Sequence, residues 1–492
     1  MNIALTMLII LAAILLFLAA FILMRTQRFT RPLPSFEPGE EVAVNQDAAA
    51  AHLAEAIRCE TVSFSETQPA SPESLLALHN VLLLNYPEVH NRLKCKAINE
   101  HSLLYTWPGS NPDLEGVLLM AHQDVVPADP QTLDKWEHPP FSGEIADGYV
   151  WGRGTLDIKN QLIAILEAVE HLLKSDFTPQ RTIYLAFGHD EEIGGMNGAK
   201  AISRYLEEQG VRLAAVLDEG MPILRGALPG VEIPVALIGN CEKGFLTLKF
   251  SAELEAGHAS TPPKQTAIGI LARALTRLEE HPMPGHPERM QSLFQAIGGA
   301  APLTTQMAFA NLWLFKGLLN KKLSARPTTS AAIRTTTAVT IFEGGVKDNI
   351  LPRQAEAAVN FRLLPGDSIR DVCDHVRETI DDERVQFKFM EGAAWEASPV
   401  APTDNPAFQS VAETLQRVFG GFPAAPFMML GATDSRHYAP IAENIYRFSP
   451  MMLEMDDLKR VHGLNERISV EQLGNMVRFF TLLIQRWGTE AL

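Results

Sequence analysis

Three short apolar runs in this chain end on residues able to hold a metal or move a proton. His122 and Asp124 follow Val117 to Met120, the triplet Asp190-Glu191-Glu192 follows Ile183 to Phe187, and Asp218-Glu219 follows Ala214 to Leu217. Asp157 adds a further carboxylate just ahead of a helical stretch. Carboxylates gathered at one point repel one another and raise each other's pKa unless a cation neutralises them, so a shared location implies a metal site. Carboxylate and imidazole donors without thiolate suit Zn²⁺, with Mn²⁺ or Co²⁺ as substitutes. One aspartate bridging two ions would give the paired site, roughly 3.5–4 Å apart, of two-metal hydrolases. Taken singly, a His-x-Asp or a Glu-Glu is an ordinary solvated loop end or helix start. The coincidence of three such groups at strand ends is what carries the metal reading. His189, beside the triplet, reads as structural.

The elements that must position these residues are legible as alternation. Short apolar strands are separated by helical stretches, the clearest of which follows Asp157 with Leu162, Leu166, Val169 and Leu173 along one face. Strands alternating with helices predict a mostly parallel sheet covered on both faces, with ligands outside the carboxyl ends of its strands. From about Gly244 the texture changes to alternating strand patterns, Phe245 to Phe250 and Ala355 to Phe361, around helices. This predicts a separate α+β unit inserted in the first. The expected domains are an anchor with its basic flank over 1–31, a linker over 32–46, a catalytic domain over 47–243 and 394–492, and the inserted unit over 244–393.

With 492 residues, 46% of them hydrophobic, the chain can bury a large core. Its formal charge of −16, with no basic run after residue 31, argues against a nucleic-acid surface. Cys59, Cys95, Cys241 and Cys373 show neither zinc-site nor dense disulfide spacing. Ile3 to Met24 is apolar apart from Thr6 and would reach roughly 33 Å as a helix, enough to cross a bilayer. It reads as one transmembrane anchor. A cleaved signal peptide is the competing reading, disfavoured by the missing charged n-region, the length of the run and the absence of an A-x-A site. Arg25, Arg28 and Arg31 flank its C-terminal side, so the positive-inside rule puts the enzyme body on the cytoplasmic face.

The segments Ala121-His-Gln-Asp-Val-Val-Pro127, Trp151-Gly-Arg-Gly-Thr-Leu-Asp-Ile-Lys159, Gly188-His-Asp-Glu-Glu-Ile-Gly-Gly195 and Val461-His-Gly-Leu-Asn-Glu-Arg467 resemble, in order, the metal-site motifs of the M20 metallopeptidases. The likeness is greatest to the carboxypeptidase S, aminoacylase-1 and N-fatty-acyl-amino-acid synthase/hydrolase branch, and runs from about residue 47 to the end. The resemblance implies a zinc-dependent exopeptidase-type α/β catalytic domain and a ferredoxin-like inserted domain that acts as a lid and often pairs two subunits. It implies two Zn²⁺ per chain, with Asp157 bridging, Glu192 and His462 on one ion, and His122 and Asp218 on the other. Asp124 would orient His122 through a hydrogen bond, and Glu191 would be the general base. In the inserted unit, His258 matches an oxyanion-hole histidine, with action in the neighbouring subunit's site as a further implication of the resemblance. Asn349 and Arg362 match positions that hold the reacting group and the substrate carboxylate, and Arg436 lies in a further substrate-side loop.

The function implied is hydrolysis of the amide bond beside a free carboxylate in a small peptide or N-acyl amino acid. A catalytically silent homologue serving as a membrane receptor or scaffold would be expected to lose ligands or base, and none is missing. A two-metal phosphatase is disfavoured by the motif order and by Arg362. Residues 285 to 330 add a segment with an apolar centre, Phe309 to Leu319, expected to line an acyl-chain channel or touch the membrane, with an ordinary buried helix as the alternative.

Overall fold

A computed structural model describes residues 3–30, 42–228 and 230–492. Arg31 and most of the expected linker, residues 32–41, lie outside the described residues.

The larger body is built on a ten-stranded sheet. At its centre Gly116–His122 runs parallel to both Ile183–Gly188 and Leu213–Asp218, and the latter runs parallel to Ile445–Arg447. Alternate side chains of the first strand enter different cores. Val117, Leu119 and Ala121 pack with the helices Lys159–Lys174 and Val470–Thr489, while Leu118 and Met120 pack with Ala199–Glu208. Burial on both faces explains why the strand reads as an unbroken apolar run.

The expectation of a mostly parallel sheet is corrected to a mixed one. Ser102–Trp107 pairs antiparallel with Ile183–Gly188, and Pro234–Glu242 pairs antiparallel with Ile223–Arg225 and Ile445–Arg447. The cause at one edge is a tight hairpin. Only residues 99–101 join Lys94–Ile98 to Ser102–Trp107, with Asn99 at φ 46° and Glu100 at φ 71°, and so short a connection can join antiparallel strands alone.

A second, four-stranded antiparallel sheet is ordered Thr336–Gly344, Gln354–Leu363, Gly244–Glu253, Val385–Trp395. Together with the helices Ala267–Glu280 and Ile369–Ile380 it forms a split βαβ arrangement around a separate core that includes Leu246, Leu248, Phe250, Val359 and Phe361. Residues 287–333 are inserted within it in sequence, yet Leu293, Phe294, Ile297 and Phe309 join the core of the larger body.

The helix Ile3–Phe29 is long and apolar enough to cross a membrane. Its last turns pack on the helix Leu303–Ala310. Asn311, fully buried, donates from Nδ2 to the Ile22 carbonyl and to Thr26 Oγ1, each at 3.4 Å, and the Arg25 guanidinium donates to the Ala310 carbonyl.

Candidate metal centre

Parallel pairing of the central strands brings their carboxyl ends to one edge, and that edge carries most of the expected chemistry. His122 is the last residue of its strand, and Asp218 the last of its neighbour. Glu191 and Glu192 open a single 3-10 turn, Glu191–Ile193, after the strand Ile183–Gly188. Asp157 precedes the helix Lys159–Lys174. His462 arrives from the far end of the chain on a loop, held at φ 58°.

Asp157 is the hub. Its Oδ1 lies 3.1 Å from His122 Nε2 and its Oδ2 lies 2.9 Å from His462 Nε2. Two groups of potential ligands therefore share it: His122, Asp157 and Glu219 on one side, and Asp157, Glu192 and His462 on the other. Glu219 Oε1 is 3.4 Å from His122 Nε2, and Glu192 Oε2 is 3.4 Å from His462 Nε2.

Asp218, expected beside His122 on one ion, makes main-chain hydrogen bonds here. Its carboxylate turns back to the main chain, where Oδ1 accepts from the Glu219 N–H at 2.9 Å and Oδ2 accepts from the Ser435 N–H at 2.8 Å. The next side chain, Glu219, reaches the histidine instead. His122 Nδ1 lies 2.9 Å from the Asp124 backbone carbonyl, whereas the carboxylate is 3.5 Å away and accepts the Glu191 N–H at 3.1 Å. The tautomer of His122 is thus set chiefly by a carbonyl, and Asp124 holds the turn that carries Glu191.

Electrostatics supply the test of whether a cation fits. Burial and then the charge of Glu219 push the Glu191 carboxyl well above its usual range, and burial and then Asp157 push Glu219 up to about 8. Burial also raises Glu192, whose Oε1 is buried without a hydrogen-bond partner. Asp157 goes the other way: although burial opposes its charge, hydrogen bonds from His122 and His462 hold it well below the carboxylate range. His462 is correspondingly drawn up to about 10 by Asp157 and Glu192. Converging carboxylates that resist ionisation, a shared aspartate and an unpartnered oxygen form a donor set that divalent cations would satisfy.

Two buried carboxylates that were not singled out from the sequence support the centre. Glu466 pairs with Arg153, and its Oε1 accepts the N–H groups of Gly154, Leu156 and Asp157 at 3.0, 2.7 and 3.2 Å. It clamps the loop of Asp157 to the segment carrying His462, four residues earlier. Its place inside the His462 motif was the available signal. Asp434, in the Gly431 to Arg436 loop, has neither carboxylate oxygen hydrogen-bonded, and burial followed by the charge of Asp218 raises its pKa well above normal. A Cβ at Gly195, which has φ 68°, would lie 1.9 Å from Asp434 Oδ1, so that position admits no side chain.

The expected substrate-side residues fall in two places. His258 is exposed on the short ladder of Gly257–His258 with Ile350–Leu351, beside Asn349, whose carbonyl accepts the Ala259 N–H at 3.2 Å. The Ser260 N–H points to His258 Nδ1 at 3.1 Å, which leaves the ring proton on Nε2. Arg362 and Arg436 sit at the two ends of a stack. Arg362 covers Phe245, Phe245 stacks on Trp395 with ring centres 4.6 Å apart, and Arg436 covers Trp395. Arg436 also donates to the Gly194 carbonyl at 2.7 Å, next to the turn of Glu191 and Glu192.

One consequence separates Glu219 from Asp218. Glu219→Gln should bind one metal ion fewer per chain, whereas Asp218→Asn should keep its metal and melt at a lower temperature. The amide nitrogen cannot accept the hydrogen bond it inherits, a loss of about 1–3 kcal/mol. Metal analysis beside thermal denaturation checks this, and the reverse pattern would return the ligand role to Asp218.

Residues 118–486 match the family model described as peptidase family M20/M25/M40. A probable carboxypeptidase S-like 2 of Dictyostelium discoideum is 41% identical over 97% of this chain and 93% of its own length. The human N-fatty-acyl-amino acid synthase/hydrolase PM20D1 is 40% identical over 94% of this chain and 91% of its own length. Among solved structures, the M20 family metallo-carboxypeptidase Sso-CP2 of Sulfolobus solfataricus superimposes with a TM-score of 0.64 at 18% identity, covering 89% of this chain and 99% of that one.

Proposed function

The chain belongs to peptidase family M20/M25/M40 and is a hydrolase of that family, and from this premise we propose that it is a membrane-anchored two-metal amidohydrolase cutting the amide bond beside a free carboxylate in N-acyl amino acids or small peptides. The observation that carries the reading is the division of Asp157, one oxygen toward His122 and the other toward His462. Two ions, Zn²⁺ by the character of the donors with Mn²⁺ or Co²⁺ as substitutes, would be held by His122, Asp157 and Glu219 and by Asp157, Glu192 and His462. When bound, such a pair acidifies a water and polarises a carbonyl.

The protein's own groups do the rest. Glu191, which faces His122 from 4.0 Å, takes a proton from the water that adds to the amide carbon. As the C–N bond breaks, Glu191 returns that proton to the leaving nitrogen, which yields a carboxylate and a free amine. His258 would donate from Nε2 to the carbonyl oxygen, and its exposure suits action across a subunit boundary in a homodimer formed through the inserted unit, which would serve as the lid. A guanidinium can bind both oxygens of a carboxylate at once, which fits Arg362 and Arg436 to the free carboxylate, with Asn349 beside the reacting group.

The acyl half of the substrate is read from the relatives. PM20D1 is named for N-fatty-acyl amino acids, and this supports a long acyl chain here. Hydrolysis of one amino acid carrying acetyl to long-chain acyl groups, beside dipeptides and phosphoesters, tests it. kcat/KM should rise with chain length and phosphoesters should remain intact. Equal kcat/KM for the acetyl and long-chain forms would remove the acyl preference.

Retention of the N-terminal helix is supported by Asn311. Cleavage after the apolar run would strip a fully buried amide of two of its acceptors. The basic flank favours a cytoplasmic enzyme body, and protease protection of the C-terminus in sealed right-side-out vesicles is the expected result.

A further inference from the structure

The helix Leu312–Ser324 is apolar on two sides. Leu312, Phe315, Leu319 and Leu323 face the core of the larger body. Trp313, Leu314 and Leu318 point outward and are 57%, 45% and 64% exposed, an arrangement that water alone disfavours. The same outer face continues, one turn further, into Lys321 and Lys322.

What covers this face is indicated by its neighbour. Trp313 meets Phe21 of the membrane-length helix edge to face, with ring centres 6.3 Å apart. Phe21 lies one turn before Arg25, where the apolar run gives way to basic residues, so Trp313 stands at the depth where a spanning helix leaves the hydrocarbon. Tryptophan concentrates at that depth, and lysines beside an apolar helix face reach anionic headgroups. Docking of the two helices through Asn311 and Arg25 fixes their relation.

We propose that the outer face of Leu312–Ser324 is a second membrane contact, lying in the headgroup layer of an anionic bilayer beside the spanning helix and holding the enzyme body against the surface. This rests on the reading of Ile3–Phe29 as a retained anchor. It would give the hydrolase access to acylated substrates dissolved in the leaflet.

The test uses full-length protein in phosphatidylcholine–phosphatidylserine vesicles with lipids brominated near the headgroup. Trp313 is the one strongly exposed tryptophan of the six. The fluorescence difference between wild type and Trp313→Phe isolates it. Its emission should be quenched by the brominated lipid, and the quenching should be lost in a Leu314→Glu/Leu318→Glu variant that still floats with the vesicles. Floating protein with an unquenched Trp313 would overturn the proposal alone. Failure of the wild type to float would overturn the anchor reading and the proposal with it.

Discussion

Glu191→Gln should retain its metal and bind substrate normally while losing at least ~10²-fold in kcat, the scale of general-base catalysis. The two glutamates are adjacent and chemically identical, so their surroundings must separate them. On the 3-10 turn Glu191–Ile193, successive side chains diverge by about 120°. Glu192 is directed to His462, 3.4 Å away, whereas Glu191 is directed toward His122 and remains 4.0 Å from it. The Glu191 main chain is pinned by Asp124, and burial raises the affinity of its carboxyl for a proton, as suits a group that must accept one and give it back. Glutamine preserves the size and hydrogen-bonding shape but cannot accept that proton. Glu192→Gln should lose metal first and activity as a consequence. An active Glu191→Gln enzyme, or one stripped of metal while Glu192→Gln keeps its own, would show the roles to be wrongly assigned.

Asp157→Asn should lose both ions and lower kcat/KM by at least about 10³-fold, because several kcal/mol of charge stabilisation disappear together. The aspartate offers one oxygen to each imidazole, and an asparagine must turn an N–H₂ toward one of them. Glu466 holds the loop from the main chain and not through the Asp157 side chain, so the fold should survive the substitution. His462→Ala is the matched control: it removes a ligand from one side only and should weaken one ion more than the other. An Asp157→Asn protein that keeps a full complement of metal would mean that the two groups are independent sites.

Much of this centre was legible because strand ends are legible. Apolar runs closed by His122, Glu191-Glu192 and Asp218-Glu219 mark the carboxyl edge of a central parallel sheet, and the structure brings them together there. His462 was different. It lies 305 positions after Asp157 in the chain, on a loop with no apolar period to announce it, and only the likeness of its motif to a family connected the two. The choice between Asp218 and Glu219 was not available from spacing, because it depends on which of two neighbours the Ser435 amide engages, and Ser435 arrives on a distant loop. The hairpin at residues 99–101 likewise sets Ser102–Trp107, next to the edge, against the direction of the central strands, where alternation alone would have made it parallel. Glu466 and Asp434 escaped for a related reason: their importance lies in which backbone groups or glycines they meet, and those meetings are tertiary.

The most direct test of the account is the metal content and amidase activity of the purified protein, measured on one long-chain N-acyl amino acid before chelation, after chelation and after zinc is returned. The expected result is close to two ions per chain, hydrolysis to the free amino acid, loss of activity with loss of metal, and recovery on readdition. Undiminished hydrolysis by metal-free protein would contradict it.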